Sequence, residues 1–282
     1  MARATDYGRA VARWARNYPL APRYRPDELF SLTTADGLRL NAARLAGPRD
    51  AAFSIVLLHG LLNSSRTPKI HAFARVLQSR ACVIVPDLRG HGASEGHTTM
   101  GLREPLDVDA AVRAADGGRP VVTVGSSLGG SAAILHAGQH GGVAGVVAIS
   151  AAAWGGEEGR AGSARAARFV RSRAGRQVAA RLLKTRIPPE CAAVPDARDV
   201  AANVSPAFLI VVHDPDDHYF GDDHALALYR WARAPKELWW LPGTGHGTDL
   251  LTPAFAERLL DDHSPSSSPF AMSQPRARSV RG

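Results

Sequence analysis

A serine between glycines follows an apolar, β-branched run near the middle of the chain, in the sequence VVTVGSSLGG. Residues 125–129 match the pattern G-x-S-x-G, whose central residue here is Ser127. In this pattern the serine lies on a sharp turn from a strand to a helix, and the glycines allow close packing there. A serine hydroxyl becomes a strong nucleophile only when a base removes its proton. Ser127 is therefore a candidate nucleophile, the alternative being that it only caps the helix.

The most suitable base is His246, in the sequence LPGTGHGTDL. It follows the last apolar run of the chain, and the glycines at 243, 245 and 247 give its loop the freedom to bend over the end of a sheet. It is also the final histidine before the closing helical segment, where a base completes the chain order serine, acid, histidine. We therefore expect His246 to accept the serine proton.

A histidine base needs a carboxylate that fixes its tautomer and stabilises its charged form. Three aspartates follow the apolar run AFLIVVH, namely Asp214, Asp216 and Asp217. Spacing slightly favours Asp217, four residues past His213, because its side chain can turn back from the loop tip toward the histidine loop. Asp214 lies nearer the strand end, and Pro215 stiffens the step after it. The aspartates that do not serve as the acid are expected to stabilise the turn.

Acyl transfer also requires hydrogen-bond donors for the charge that develops on the carbonyl oxygen. One candidate is the backbone N–H of Leu128, directly after the serine. The second is the N–H of Leu61, with that of Leu62 as the next choice, in the loop after the run FSIVLLH, where Gly60 lets the backbone turn inward. We expect His59 to hydrogen-bond this loop rather than to take part in the chemistry.

These residues need a sheet whose strand ends meet at one edge. Short apolar runs are typical of strands buried on both faces; they cover residues 53–59, 82–87, 120–125, 143–150 and 207–213. Helical patterns alternate with them at 69–78, 104–115, 128–139 and 222–233. A hairpin around Asp36-Gly37 precedes them, and KELWWLPG (236–243) and a helix over 252–262, capped by Thr252, follow. This alternation predicts an α/β protein with a doubly wound, mostly parallel sheet of about eight strands.

Composition divides the chain into one large domain and two flanking segments. Residues 28–262 are expected to form the α/β domain, and residues 1–27 a loose N-terminal arm. Residues 263–282, rich in Ser, Pro and Arg, are expected to form a disordered tail. Within the domain, residues 151–205 are too long for an ordinary connection and have helical stretches of their own. We expect them to form a short, lid-like helical excursion over the strand ends.

The net charge of +8 is concentrated in a few segments. Residues 160–186 carry nine basic residues and no acidic one. We expect a solvated helical face there, with contact to an anionic substrate or an acyl carrier, or attraction to a membrane surface or a nucleic acid, as alternatives. No interleaved aromatic residues or groove-reading motif accompany these cations, so no nucleic-acid partner is expected.

Apolar stretches and cysteines limit the class of protein further. No segment approaches the roughly 18 consecutive apolar residues of a membrane span, and the first thirty residues hold no signal-peptide core. The two cysteines, Cys82 and Cys191, lack C-x-x-C or metal-ligand spacing. These features predict a reduced cytoplasmic protein without integral membrane association, in which Cys82 is a small buried hydrophobe.

Five motifs together resemble those of the α/β-hydrolase superfamily, in order and near its spacing, over residues 28–262. They are LLHGLLNSS, PDLRGHGASEG, VGSSLGG, VVHDPDDHYF and PGTGHG. The resemblance is greatest to bacterial hydrolases of the short-lid esterase and serine aminopeptidase-like kind. In that family the RGHG loop is structural, which implies that His91 is a loop histidine with its hydrogen bonds satisfied.

Carried over to this sequence, the resemblance implies Ser127 as nucleophile, His246 as base, and backbone amides at Leu61 and Leu128 for the oxyanion. The family acid commonly follows a G-x-x-D pattern. Here Asp214 replaces the glycine, which places Asp217 at the acid and leaves Asp214 as the alternative acid.

The activity that the resemblance implies is hydrolysis of a small acyl substrate, a carboxylic ester, thioester or amide, through an acyl-enzyme intermediate. Neither a metal nor an organic cofactor is needed. The alternatives are a cofactor-free perhydrolase or carbon–carbon bond hydrolase using the same site, or a non-catalytic receptor or interaction protein of the same fold. A serine at 127 excludes the aspartate nucleophile of dehalogenase relatives and disfavours epoxide hydrolysis for the same reason.

Overall fold

A computed structural model describes residues 25–155, 161–190 and 195–261. Strands in these ranges are β1 (Glu28–Thr33), β2 (Arg39–Leu45), β3 (Ser54–Leu58), β4 (Cys82–Pro86), β5 (Val121–Ser126), β6 (Gly145–Ile149), β7 (Phe208–His213) and β8 (Lys236–Trp240). They form one eight-stranded sheet in the order β1-β2-β4-β3-β5-β6-β7-β8. Strands β3 to β8 are parallel, whereas β1 and β2 form an antiparallel hairpin that joins the edge of β4. The predicted mostly parallel sheet of about eight strands is confirmed.

Helices cover both faces of this sheet. Their bounds are α1 (Pro68–Leu77), α2 (Glu104–Asp116), α3 (Leu128–His140), α4 (Ala161–Arg171), α5 (Arg173–Leu182), α6 (Arg198–Ala201), α7 (Asp222–Trp231) and α8 (Pro253–Asp261). Alternate side chains of each central strand point to opposite faces. In β3, Val56 packs into the core under α2, α3 and α7, whereas Ile55 packs into the core under α1 and α8. The two cores confirm the doubly wound arrangement.

Helix α8 begins as the sequence predicts. The N–H of Phe255 donates to the Thr252 hydroxyl oxygen at 3.1 Å, so Thr252 caps the helix, and Pro253 occupies its first turn. Phe255 then stacks on Phe73 of α1, with ring centroids 5.9 Å apart. The closing helix therefore completes the apolar layer on one face of the sheet.

Helices α4 and α5 lie apart from these two layers. They and the chain after them form a small apolar cluster of their own, made of Val170, Ala179, Leu183 and Ile187. This cluster packs against Leu61 and Leu62, in the loop after β3. Contacts with the loop after β4 hold the C-terminal end of this segment. Thr185 forms a β-bridge with His91, and the Arg186 side chain donates to the carbonyls of Ser94 and Gly96.

Some predictions on the chain ends and the cysteines fall outside the described residues, and another one is wrong. Most of the predicted arm (1–27), the whole tail (263–282) and Cys191 lie outside the described residues. The prediction of a buried Cys82 is wrong, because this residue opens β4 and its side chain is half-buried. Within the described ranges, no helix has both the length and the apolar character that crossing a bilayer requires.

Candidate active site

Ser127 lies on a strained turn between β5 and α3. Its φ is 52°, in a region that non-glycine residues rarely adopt, and its N–H donates to the carbonyl of Ile149 at 2.7 Å. A Cβ atom at Gly125 would overlap the backbone of Gly129, and one at Gly129 would lie 2.6 Å from the carbonyl oxygen of Leu58. Both glycines are therefore required by close packing, as the G-x-S-x-G pattern predicts.

Three side chains from three different strand ends form a continuous hydrogen-bonded chain. The Oγ of Ser127 lies 3.0 Å from Nε2 of His246, and Nδ1 of His246 lies 2.6 Å from Oδ2 of Asp217. Because the carboxylate can only accept, Nδ1 carries the proton that faces it and Nε2 is left to accept from the serine hydroxyl. This arrangement can withdraw a proton from Ser127.

The loop that carries His246 is held close to the serine. Gly245 and Gly247, on either side of the histidine, have φ values of 100° and 56°, which favour glycine. The N–H of Gly247 donates to the hydroxyl of Ser150 at 3.1 Å. A Cβ atom at Gly247 would lie only 3.6 Å from that of Ser127. The predicted flexible glycine loop is therefore a fixed turn over the sheet edge.

Asp217 is completely buried, and both of its carboxylate oxygens are used. While Oδ2 faces His246, Oδ1 accepts from the N–H groups of Tyr219 at 2.7 Å and Phe220 at 3.2 Å. Burial acts to raise the pKa of Asp217, but the hydrogen bond and charge of His246 and the two N–H donors outweigh it and hold the pKa below its usual value. The carboxylate is therefore ionised at neutral pH.

Asp214, the alternative acid, faces the histidine loop from another side. Its Oδ1 accepts from the N–H groups of Asp216 at 2.9 Å and Gly243 at 3.2 Å, and its Oδ2 accepts from the N–H of Gly245 at 2.5 Å. These contacts use both oxygens, and among the described residues none of them involves the His246 ring. The structure thus brings Asp217, and not Asp214, to the histidine.

The two candidate oxyanion donors belong to backbone segments that lie next to Ser127. Leu128 is the first residue of α3, so its N–H has no acceptor within the helix, and the helix N-terminus favours negative charge. A Cβ atom at Gly60 would lie 3.3 Å from that of Ser127, which places the loop after β3 against the serine. Leu61 follows in this loop, and the Asn63 side chain donates to its carbonyl at 3.1 Å. In the described part of the chain, the Leu61 N–H forms no hydrogen bond.

Two buried histidines support the loops beneath the site. The N–H of Leu88 donates to Nε2 of His59 at 3.0 Å, so the proton of His59 is on Nδ1, which donates to the Gly60 carbonyl at 2.9 Å. The expected structural role of His59 is confirmed. His91 differs from its prediction: Nδ1 lies 2.9 Å from the Arg89 carbonyl, but Nε2 is buried without a hydrogen-bond partner among the described residues. Burial lowers the pKa of His91 to about 3, so the ring is neutral.

The sequence motifs give no role to the aromatic residues that follow Asp217, and in the structure these residues lie around His246. The ring centroids of Tyr219, Phe220 and His218 lie 4.5, 5.4 and 6.3 Å from that of His246. The sequence HYF directly after Asp217 shows that aromatic residues follow the acid, but the groups that these residues contact depend on how the loop folds. One side of the histidine is therefore aromatic.

The described residues offer no group of three or more His, Cys, Asp or Glu side chains that could hold a metal ion.

Comparison with known proteins places this geometry in a family. The model of a family described as alpha/beta hydrolase matches residues 55–266. The esterase RhEst1 from Rhodococcus sp. ECU1013 is 20% identical, with a TM-score of 0.67 over 82% of this chain and 97% of that one. The Pyrococcus furiosus esterase Pf2001 is 17% identical, with a TM-score of 0.67 over 86% and 94%. A hydrolase from Pseudomonas aeruginosa PA01 is 22% identical, with a TM-score of 0.65 over 84% and 98%.

No curated protein matches the chain. The solved structures share its fold, and the family model spans most of the sheet and all three residues of the Ser127, His246 and Asp217 chain. The protein therefore belongs to the alpha/beta hydrolase family.

Proposed function

We propose that the protein is a serine hydrolase that cleaves carboxylic esters, with Ser127 as nucleophile, His246 as base and Asp217 as acid. The observation that carries the proposal is the hydrogen-bonded chain of 3.0 Å and 2.6 Å contacts that joins the three side chains. Similarity in fold to proteins described as esterases supports an ester over other acyl substrates. Thioesters and amides react through the same steps.

The reaction begins when Nε2 of His246 accepts the hydroxyl proton of Ser127. The serine oxygen then bonds to the carbonyl carbon, and the carbonyl electron pair moves to its oxygen, which accepts hydrogen bonds from the N–H groups of Leu61 and Leu128. The ionised Asp217 stabilises the imidazolium that forms.

Collapse of this intermediate breaks the bond to the alcohol oxygen, which leaves with the proton from His246. The product is an acyl ester of Ser127. A water molecule then gives its proton to His246 and attacks the acyl carbon. The bond from this carbon to the serine oxygen breaks, and His246 returns the proton to that oxygen, which releases the acid and restores the serine hydroxyl. The first half of this cycle forms a covalent bond that a probe can trap.

A fluorophosphonate probe and a series of 4-nitrophenyl esters test the proposal directly. We expect the wild-type protein to be labelled and to hydrolyse the esters, and the Ser127→Ala variant to do neither. The adjacent, buried Ser126 offers a matched control, since Ser126→Ala should retain labelling. Equal labelling of wild-type and Ser127→Ala proteins, or no labelling of either, would overturn the proposal, and the second result would favour a non-catalytic protein.

A further inference from the structure

The first turn of α4 lies directly on the loop that carries Asp217. The N–H of Gly162 donates to the carbonyl of His218 at 3.0 Å, and a Cβ atom at Gly162 would overlap that oxygen. Residues three apart in a helix share a face, so the side chain of Arg165 leaves α4 on the same side, one turn farther along. The geometry therefore directs a cation toward the edge of the site.

The charge of Arg165 affects the pKa of Tyr219, whose ring contacts that of His246, the candidate base. Burial raises the pKa of Tyr219, as do Asp217 and Asp249, whereas the charge of Arg165 acts in the opposite direction. The Tyr219 ring in turn lies 4.5 Å from that of His246, between centroids. Arg165 itself is exposed and forms no ion pair with any residue that the structure describes.

The acidic groups near Tyr219 have partners of their own. Asp217 is paired with His246, and the Asp249 carboxylate lies 2.6 Å from Nζ of Lys69. The sequence from 160 to 186 contains no acidic residue that could pair with Arg165 from its own helix or the next. Of the three charged groups that act on the pKa of Tyr219, Arg165 is therefore the one without an ion-pair partner among the described residues.

We propose that Arg165 binds an anionic group, such as a carboxylate, on the acyl or the alcohol part of the substrate. This inference rests on the proposed ester hydrolysis and names the substrate class for it. The planar guanidinium suits a carboxylate because it can donate two parallel hydrogen bonds, which a neutral substrate would leave unused.

Two pairs of esters test this inference. In the first pair, the anion is on the acyl side: 4-nitrophenyl hemisuccinate against its neutral isostere, 4-nitrophenyl 4-methylpentanoate. In the second it is on the leaving group: 4-acetoxybenzoate against 4-methylphenyl acetate. The measured quantity is the ratio of kcat/KM within each pair, for wild-type protein and the variant Arg165→Gln.

We expect Arg165→Gln to lower this ratio roughly three- to tenfold in at least one pair, because an exposed charge contributes modestly, and to leave the neutral esters unaffected. Arg173→Gln removes another exposed cation, in α5, and serves as the matched control, with unchanged ratios. Ratios that stay unchanged in both pairs, or that fall equally in Arg173→Gln, overturn the inference. Failure of the wild-type protein to cleave even neutral esters would instead count against the proposed function.

A second inference rests on the hydrogen bonds of Asp214. We infer that Asp214 is a positioning residue for His246, because its carboxylate holds the backbone of Gly243 and Gly245, the latter directly before the histidine. The side chain is completely buried, and bonds from N–H groups to a carboxylate are stronger than neutral ones. The glycine that the family places here could not make them.

The test compares Asp214→Asn with Asp216→Asn, whose side chain in the same loop is exposed. An asparagine at 214 replaces one acceptor oxygen by an amide donor, so at least one loop N–H loses its partner. We expect kcat and the rate of fluorophosphonate labelling to fall roughly tenfold or more, with KM changed less than about twofold, and Asp216→Asn to match the wild type. A labelling rate within twofold of wild type in folded Asp214→Asn overturns this inference, since a merely structural role lowers only stability.

Discussion

The backbone of Ser127 combines a proposed chemical role with a conformational cost. A φ of 52° in a non-glycine residue costs on the order of 1–3 kcal/mol, which the surrounding packing must offset. Glycine adopts this conformation without strain. We therefore expect Ser127→Gly to raise the free energy of unfolding by about 1 kcal/mol relative to Ser127→Ala, since both variants lack the hydroxyl.

Urea unfolding of the two variants measures this difference. Both should be inactive, so that the comparison separates strain from chemistry. If Ser127→Gly is less stable than Ser127→Ala, the turn does not store strain at this residue.

The acid residue gives a second prediction at this scale. Asn at 217 presents an amide where His246 needs a carboxylate, so the imidazolium loses its stabilising charge and the ring loses the partner that fixes its tautomer. We expect Asp217→Asn to lower kcat about 10³- to 10⁴-fold with little change in KM. Steady-state ester hydrolysis measures this loss, and it should exceed the loss in Asp214→Asn; the reverse order would contradict the assignment of the acid.

Sequence reasoning at this scale singled out Ser127 and His246, but spacing alone favoured Asp217 over Asp214 only slightly. Three aspartates lie within four residues, and each has the same chemistry. What separates Asp214 from Asp217 is a turn in which the Asp217 N–H donates to the Asp214 carbonyl at 2.9 Å, which sends the two side chains in different directions. The positions of Tyr219 and Phe220 depend on the same turn.

At the scale of elements, apolar runs were a good guide because each buried strand is short and continuous. The run predicted at 53–59 contains β3 (Ser54–Leu58), and the helix predicted at 128–139 matches α3 (Leu128–His140). The order of the strands in the sheet could not be predicted in this way. That β4 lies between β2 and β3 follows from how the hairpin and the crossovers pack, which local patterns do not encode.

An ion-pair cluster around the buried Arg89 connects the loop after β4 with the β1–β2 turn and with α2. Nη1 of Arg89 lies 2.9 Å from Asp36, in the β1–β2 turn, and Nη2 lies 2.7 Å from Asp107, in α2. Asp107 is completely buried, so removal of the guanidinium leaves a carboxylate without its charged partner. We expect Arg89→Met to lower the free energy of unfolding by about 3–5 kcal/mol, as measured in urea.

A double variant distinguishes the unpaired charge from lost packing. Adding Asp107→Leu to Arg89→Met removes the stranded carboxylate, so part of the lost stability should return. If the double variant is less stable than the single one by the full effect of Asp107→Leu alone, the two residues do not interact and the explanation fails.

At the scale of the whole molecule, the positive charge is not spread evenly. The α4–α5 segment holds a large share of it, beside a site whose own charges are paired. The sequence alone showed that positive charge is concentrated in this segment and which roles the segment could have. It did not show that Gly162 packs on His218, a contact that turns Arg165 toward the site. That contact joins residues 56 positions apart, which no local pattern reports.

The stability of the folded molecule should also depend on pH through a histidine far from the chemistry. His136 is buried in α3, where it stacks on His140 and lies 3.7 Å from Asp109, which also pairs with Arg113. Burial outweighs the nearby carboxylate and lowers the pKa of His136 to about 4. Since the folded state then binds its proton less readily than the unfolded chain, at about 6.5, protonation favours unfolding.

The stabilising contribution of neutral His136 is complete above pH 6.5 and is lost as pH falls toward 4, a change on the order of 3 kcal/mol. We expect His136→Gln, which does not titrate, to lose less stability than wild type when urea unfolding is compared at pH 7 and pH 4.5. The exposed His140, one turn farther along α3, supplies the matched control, because His140→Gln keeps the buried ring and should keep the acid loss. If His136→Gln loses as much stability as wild type over this interval, the acid sensitivity arises elsewhere in the molecule.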